Sequence, residues 1–130
     1  MTRGLSMKVL VVDDHPTDLK LISDLLRMSG HVVRERSSTV GVLDSIVTDR
    51  PDVIVLDMRL SGGDGLALAR QLKADPNTAP IPIVAVTAYP DTYPRSEVLC
   101  AGCDGCITKP FDTRQLTKQV EEIVLGRTGS

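Results

Sequence analysis

Three aspartates, one threonine and one lysine in this 130-residue sequence stand at the ends of apolar runs. Asp13 and Asp14 close Lys8-Val9-Leu10-Val11-Val12, Asp57 closes Val53-Ile54-Val55-Leu56, Thr87 closes Ile81-Pro82-Ile83-Val84-Ala85-Val86, and Lys109 closes Gly105-Cys106-Ile107-Thr108. A charge beside a buried apolar strand is costly unless a counter-charge, a cation or hydrogen bonds meet it, so each of these groups needs a partner or a task. Brought together, three carboxylates repel one another and invite a hard divalent cation with oxygen ligands, for which Mg²⁺ is the natural choice. A lysine opposite them and a threonine hydroxyl complete a set suited to a phosphoryl group, whose oxygens the cations neutralise while a carboxylate attacks in line. Taken singly, each residue reads as a helix cap, a turn residue or a solvated charge. Their joint placement favours the chemical reading.

The runs themselves read as strands, because they are short, apolar and rich in β-branched residues. Between them lie helical patterns. Pro16 suits a first helical turn, and Leu19, Ile22 and Leu26, with Leu21, Leu25 and Met28, form an apolar stripe closed by Gly30. His31 to Arg36 is a more polar strand that fits a sheet edge, and Ser37-Ser38-Thr39 offer an N-cap for a helix carrying Val40, Leu43, Ile46 and Val47. After Asp57, Ser61-Gly62-Gly63-Asp64-Gly65 is expected as a loop, followed by a helix from Leu66 to Lys73 that packs Leu66, Ala69 and Leu72 on one face. Tyr89 to Pro94 is expected as a loop, 94–101 as a short helix, and Asp112 or Thr113 as the cap of a last helix with Leu116, Val120, Ile123 and Val124 inward. Strand and helix alternate five times, which predicts an α/β fold with a parallel sheet and helices on both faces. In such a sheet every strand delivers its carboxyl end to one edge, where ligands bind, so residues scattered along the chain become neighbours.

A hydrophobic content of 42% and a charged content of 25% are those of an ordinary globular domain, read as an N-terminal arm at 1–6, one domain at 7–125 and a tail at 126–130. The formal charge of −2 gives no reason to expect nucleic acid or an anionic membrane as a direct partner, and a cytoplasmic location is expected. Cys100, Cys103 and Cys106 read as reduced thiols rather than a metal site, because four zinc ligands are not near one another in sequence. His15 is expected as a surface residue at the start of the first helix.

The segments Val11-Val12-Asp13-Asp14, Ile54-Val55-Leu56-Asp57-Met58, Val86-Thr87-Ala88 and Thr108-Lys109-Pro110-Phe111 resemble, over about residues 7 to 125, the receiver domain of bacterial two-component response regulators. The resemblance implies a flavodoxin-like, doubly wound sheet of order 2-1-3-4-5. It implies that Asp57 accepts a phosphoryl group from a phosphohistidine on a sensor histidine kinase or phosphotransfer protein. Asp14 and Asp57 would bind Mg²⁺ (or Mn²⁺) directly with the Arg59 carbonyl, and Asp13 through water. Lys109 and Thr87 would contact phosphoryl oxygens, assisted by the backbone of Met58 and Ala88, and the Lys109–Pro110 bond would be cis. Such a domain is a signalling element of a phosphorelay and no enzyme beyond catalysing its own phosphorylation and autodephosphorylation. Its target would dock on the fourth helix, fifth strand and fifth helix, whether the receiver stands alone or belongs to a larger chain.

The sequence departs from the family pattern at Cys106, where an aromatic switch residue usually stands, at Ser61, and at Pro90 and Pro94. Phosphorylation is therefore expected to be read through Thr87 and residues 88–94, with Tyr89 or Tyr93 as the moving ring. Arg59 and Tyr89 occupy positions that gate the hydrolytic water, which predicts slow autodephosphorylation. Two alternatives remain: a receiver-like binding module not regulated by phosphorylation, suggested by Cys106, and a phosphatase of the haloacid dehalogenase type, which would need an acid where Arg59 stands. A flavodoxin-like nucleotide binder would need a phosphate loop where Asp13-Asp14 repel phosphate.

Overall fold

The computed structural model describes residues 6–60, 63–88, 102–109 and 112–129. Along the chain they form β1 (Lys8–Val12), α1 (Pro16–Met28), β2 (Val32–Arg36), α2 (Val42–Thr48), β3 (Val53–Asp57), α3 (Gly65–Ala74), β4 (Ile83–Ala88), β5 (Gly105–Lys109) and α4 (Leu116–Gly129). The five strands make one parallel sheet in the order β2-β1-β3-β4-β5, as expected.

Period-two alternation along the strands divides the core. Leu10, Val12, Ile54, Leu56, Ile83 and Ala85 meet α2 and α3 through Val42, Ile46, Leu66 and Leu72 on one face. Val9, Val11, Val53, Val55, Val84, Val86 and Ile107 meet α1 and α4 through Ile22, Leu26, Leu116 and Val120 on the other. Each such Val, Leu or Ile side chain, fully buried, contributes roughly 1.5–3 kcal/mol. β2 pairs only with β1, leaves Val32 exposed, and is the edge strand the sequence suggests.

Register carries this packing to the functional edge. Val12 lies opposite Leu56, so Asp13 and Asp57, one residue further on, reach the same level. Asp57 pairs with Val86 and Thr87 with Thr108, which sets Thr87 and Lys109 one step beyond it.

The structure corrects several local expectations. Ser37-Ser38-Thr39 do not cap α2: Ser38 Oγ accepts the Val40 N–H at 3.2 Å, and the helix begins after Gly41, whose φ of 80° lies in the left-handed region. The late start rotates the inward face to Val42, Ser45 and Ile46 and leaves Val40, Leu43 and Val47 exposed. Met28 is also exposed rather than part of the α1 stripe. The expected loop after Asp57 contains a two-residue antiparallel ribbon pairing Arg59 with Asp64 and Leu60 with Gly63. α4 continues through Gly129, where a tail was expected from 126. The Asp112 carboxylate accepts the Arg114 N–H at 2.9 Å in the turn that precedes α4, whose first residue is Leu116. The expected helix at 94–101, the loop with Tyr89, Pro90, Tyr93 and Pro94, the residues Ser61, Cys100 and Phe111, and the Lys109–Pro110 bond lie outside the described residues.

Candidate functional site

Four chain segments converge at the carboxyl edge of the sheet. β1 runs into Asp13 and Asp14, and the Asp13 N–H donates to the Arg36 carbonyl at 3.0 Å, so β1 stays paired up to its first acid. The Asp13 carboxylate then turns back on the chain, where its Oδ1 accepts the His15 N–H at 2.9 Å and presets the start of α1, with Pro16 in the first turn. Asp57 ends β3 with its side chain 2% exposed, and Asp13 is equally enclosed.

Lys109, from β5, supplies the cation. Its Nζ lies 3.6 Å from Asp13 Oδ2, 3.6 Å from Asp57 Oδ2 and 2.9 Å from Asp18 Oδ2, the last a hydrogen bond. Burial alone disfavours the lysine charge, but the Asp18 hydrogen bond and the charges of Asp13 and Asp57 hold its pKa above the ordinary value. Asp13 moves the other way from a free carboxylate. Burial pushes its pKa up to about 6, the His15 N–H draws it down, and the charge of Asp57 raises it further against the pull of Lys109. Buried Asp13 Oδ2 has no hydrogen-bond donor among the described residues and meets Lys109 Nζ only at 3.6 Å, so its lone pairs suit a further cation. Asp13, Asp14, His15 and Asp57 each offer one donor atom within 4.8 Å of the others, a set whose oxygen donors fit a divalent metal.

Thr87 is buried at the end of β4, and its Oγ1 lies 3.9 Å from the Sγ of Cys106 on the neighbouring strand. Behind the acceptor strand Gly65 opens α3 against the backbone: a Cβ there would strike the Asp57 carbonyl oxygen and stand 2.7 Å from the Met58 Cα. Cys103 is a buried thiol whose pKa burial, with the charges of Asp104 and Cys106, pushes up to about 12.

Asp13, Asp14, Asp57 and Lys109 are thus brought together as the sequence predicts, and Thr87 stands on the adjoining strand. The Met58 N–H donates to the Val86 carbonyl at 3.0 Å, as the parallel ladder continues one residue past Asp57. Ala88 pairs with Lys109 at the strand end, and Arg59 lies in the ribbon.

Two neighbours were not anticipated. Asp18 binds Lys109, and His15, expected as a mere surface residue, turns Nδ1 to 3.3 Å from Asp13 Oδ1, 3.2 Å from Asp14 Oδ1 and 3.5 Å from Asp57 Oδ2. Pro16 marks the helix start that sets residues 15 and 18 three apart, but nothing in the sequence gives the direction of either side chain.

Fold and pocket together define a doubly wound α/β domain with an acidic pocket and one lysine at its carboxyl edge. The sequence matches the response regulator receiver domain family over residues 9–121, and the chain belongs to that family, the receiver domains of two-component signal transduction. It is 39% identical over 121 residues to the phosphate regulon transcriptional regulatory protein PhoB of Pseudomonas aeruginosa, an alignment covering 93% of this chain and 52% of PhoB. It is 28% identical to the polar-differentiation response regulator DivK of Brucella ovis, covering 90% of this chain and 95% of DivK. A response-regulator crystal structure from Chloroflexus aurantiacus superposes with a TM-score of 0.86 at 30% identity, covering 92% of this chain and 98% of that one. The chain therefore spans about half of PhoB and nearly all of DivK. No described helix is long and apolar enough to cross a membrane.

Proposed function

We propose that Asp57 is the phosphoacceptor of this receiver, taking its phosphoryl group from a phosphohistidine on a sensor kinase or phosphotransfer protein. The observation that carries the reading is the enclosure of the Asp57 carboxylate 3.6 Å from Lys109 Nζ and among the other acids of the β1 edge. A carboxylate oxygen of Asp57 attacks phosphorus, the P–N bond to the donor imidazole breaks, its electron pair stays on the imidazole nitrogen, and an acyl phosphate remains on Asp57. Lys109, 3.6 Å from Asp57 Oδ2, would neutralise a phosphoryl oxygen, and Thr87 would donate its hydroxyl to another once it turns from Cys106. Asp14 and Asp57, with the Arg59 carbonyl and Asp13 through water, would hold Mg²⁺ or Mn²⁺, and the bound cation would offset the mutual repulsion of the attacking carboxylate and the phosphoryl oxygens. Hydrolysis of the acyl phosphate on the same site returns the resting state.

Output would be a change in protein contacts on a face that includes β5 and α4. Relatives such as PhoB, of which this chain spans about half, support a receiver that also works within a longer chain.

The test is incubation with Mg²⁺ and acetyl phosphate, read by intact mass, with beryllofluoride as mimic for NMR. Wild-type protein gains one phosphoryl group and Asp57→Asn gains none. Equal modification of both proteins would overturn the assignment.

A further inference from the structure

The His15 ring stands at the mouth of the acidic pocket, with Nδ1 within hydrogen-bond reach of Asp13 Oδ1. Its backbone is held by the N–H bond to Asp13 Oδ1 and by Pro16, and its side chain makes no cap hydrogen bond to the helix it precedes. Nδ1 instead faces three carboxylate oxygens at 3.2, 3.3 and 3.5 Å. Donor atoms bound at ~2.1 Å to one ion, at right or tetrahedral angles, stand roughly 3.0–3.5 Å from one another. The separations from Nδ1 to Asp14 Oδ1 and Asp57 Oδ2 fall within that range, and Asp13 Oδ1, which would act through water, lies within hydrogen-bond reach of the same nitrogen.

We infer that His15 Nδ1 is a nitrogen ligand of the divalent cation held by the acidic pocket, and that it biases this receiver toward Mn²⁺ and other first-row transition ions over Mg²⁺. The inference rests on the metal reading of the pocket given above. Mg²⁺ takes oxygen donors and gives up its waters reluctantly, whereas the first-row transition ions accept imidazole nitrogen, Mn²⁺ least strongly among them and the later ions more so. An all-oxygen pocket favours the first class, and one imidazole at its mouth shifts the balance. The ring is 60% exposed, so it can reach an ion without entering the core. The other histidine cannot supply the nitrogen: His31 is buried, with Nδ1 accepting the Met7 N–H at 3.1 Å and Nε2 facing Glu121 Oε2 at 2.7 Å.

The experiment is Mn²⁺ binding to wild-type protein and to His15→Ala and His15→Gln, followed by electron paramagnetic resonance, with Mg²⁺ affinity measured by competition. Nitrogen hyperfine coupling on bound Mn²⁺ in the wild type, lost in both variants, supports the inference. So does a fall of about tenfold in the Mn²⁺/Mg²⁺ affinity ratio in His15→Ala. Bound Mn²⁺ without nitrogen coupling, or an unchanged ratio, overturns it and leaves the metal reading standing. Tighter binding of both ions in His15→Ala also overturns it, identifying the ring as a competing counter-ion. A wild-type protein that binds neither ion would overturn the metal reading and this inference together.

Discussion

The Thr87 hydroxyl rests 3.9 Å from the Cys106 thiol, across the β4–β5 pair. A thiol is a weak donor and a weak acceptor, so it holds the hydroxyl loosely. On phosphorylation Thr87 is expected to leave Cys106 for a phosphoryl oxygen, and the switch is a hydrogen-bond exchange. The S–H stretching band of Cys106, assigned by difference from Cys106→Ala, should shift on beryllofluoride loading to the position it has in Thr87→Ala. A band that ignores both loading and the Thr87 substitution would show that the thiol is not the hydroxyl's resting partner.

Lys109 faces three carboxylates, and their energetic shares differ. Asp13 and Asp57 are enclosed, whereas the Asp18 side chain is 31% exposed and its ion pair is screened by solvent. Lys109→Met leaves the two enclosed acids without their ammonium and should cost about 3 kcal/mol in metal-free urea unfolding. Asp18→Asn keeps the shape and should cost less than about 1 kcal/mol. The reverse order would mean that Lys109 is anchored chiefly for Asp18.

Most of this architecture was legible because it rests on strong, local signals. Strands as apolar as Val53-Ile54-Val55-Leu56 are buried whatever surrounds them, and strand order follows from the family resemblance. The polar strand ends were legible as a group for the same reason. What escaped was set by single dihedrals and by side-chain direction. Nothing in the run Ser37-Ser38-Thr39-Val40 says that Gly41 will take a left-handed φ and delay α2. Nor does the sequence say which way His15 points, because an exposed imidazole beside two acids serves equally as cap, counter-ion or ligand. Nor does it say that the ladder will extend past Asp57 and engage the Met58 N–H, because that depends on the Val86 carbonyl contributed by β4.

Gly65 and Gly41 separate close packing from backbone strain. Around Gly65 a methyl group meets the backbone of Asp57 and Met58, which cannot step aside as a flexible side chain would. Around Gly41 nothing lies within 4 Å, and only the φ of 80° opposes substitution. Gly41→Ala should cost roughly 1 kcal/mol, and Gly65→Ala up to about 3 kcal/mol. Only the second should move the Asp57 and Met58 amide resonances. If Gly65→Ala proved the milder change, or left those amides in place, the close approach of α3 to the acceptor strand would be wrong.

Asp13 makes the stability of the metal-free protein depend on pH in a defined direction. Burial, followed by the charge of Asp57, raises its pKa from 3.8 to about 6, so between these values the folded state holds a proton that the unfolded chain releases. That contribution is complete below pH 3.8 and is lost as pH rises through about 6, above which the fold carries an ionised, enclosed carboxylate. Asp13→Asn removes the charge and should flatten the slope, leaving the variant more stable than wild type above pH 6 without metal. A divalent cation should reverse that order, stabilising the wild type through the carboxylate that the variant lacks. Thermal melts across this range, in chelator and then in Mg²⁺ or Mn²⁺, check both halves. A wild type whose metal-free stability rises from pH 4 to 6 relative to Asp13→Asn would show that Lys109 already compensates the Asp13 charge and that no second cation is called for.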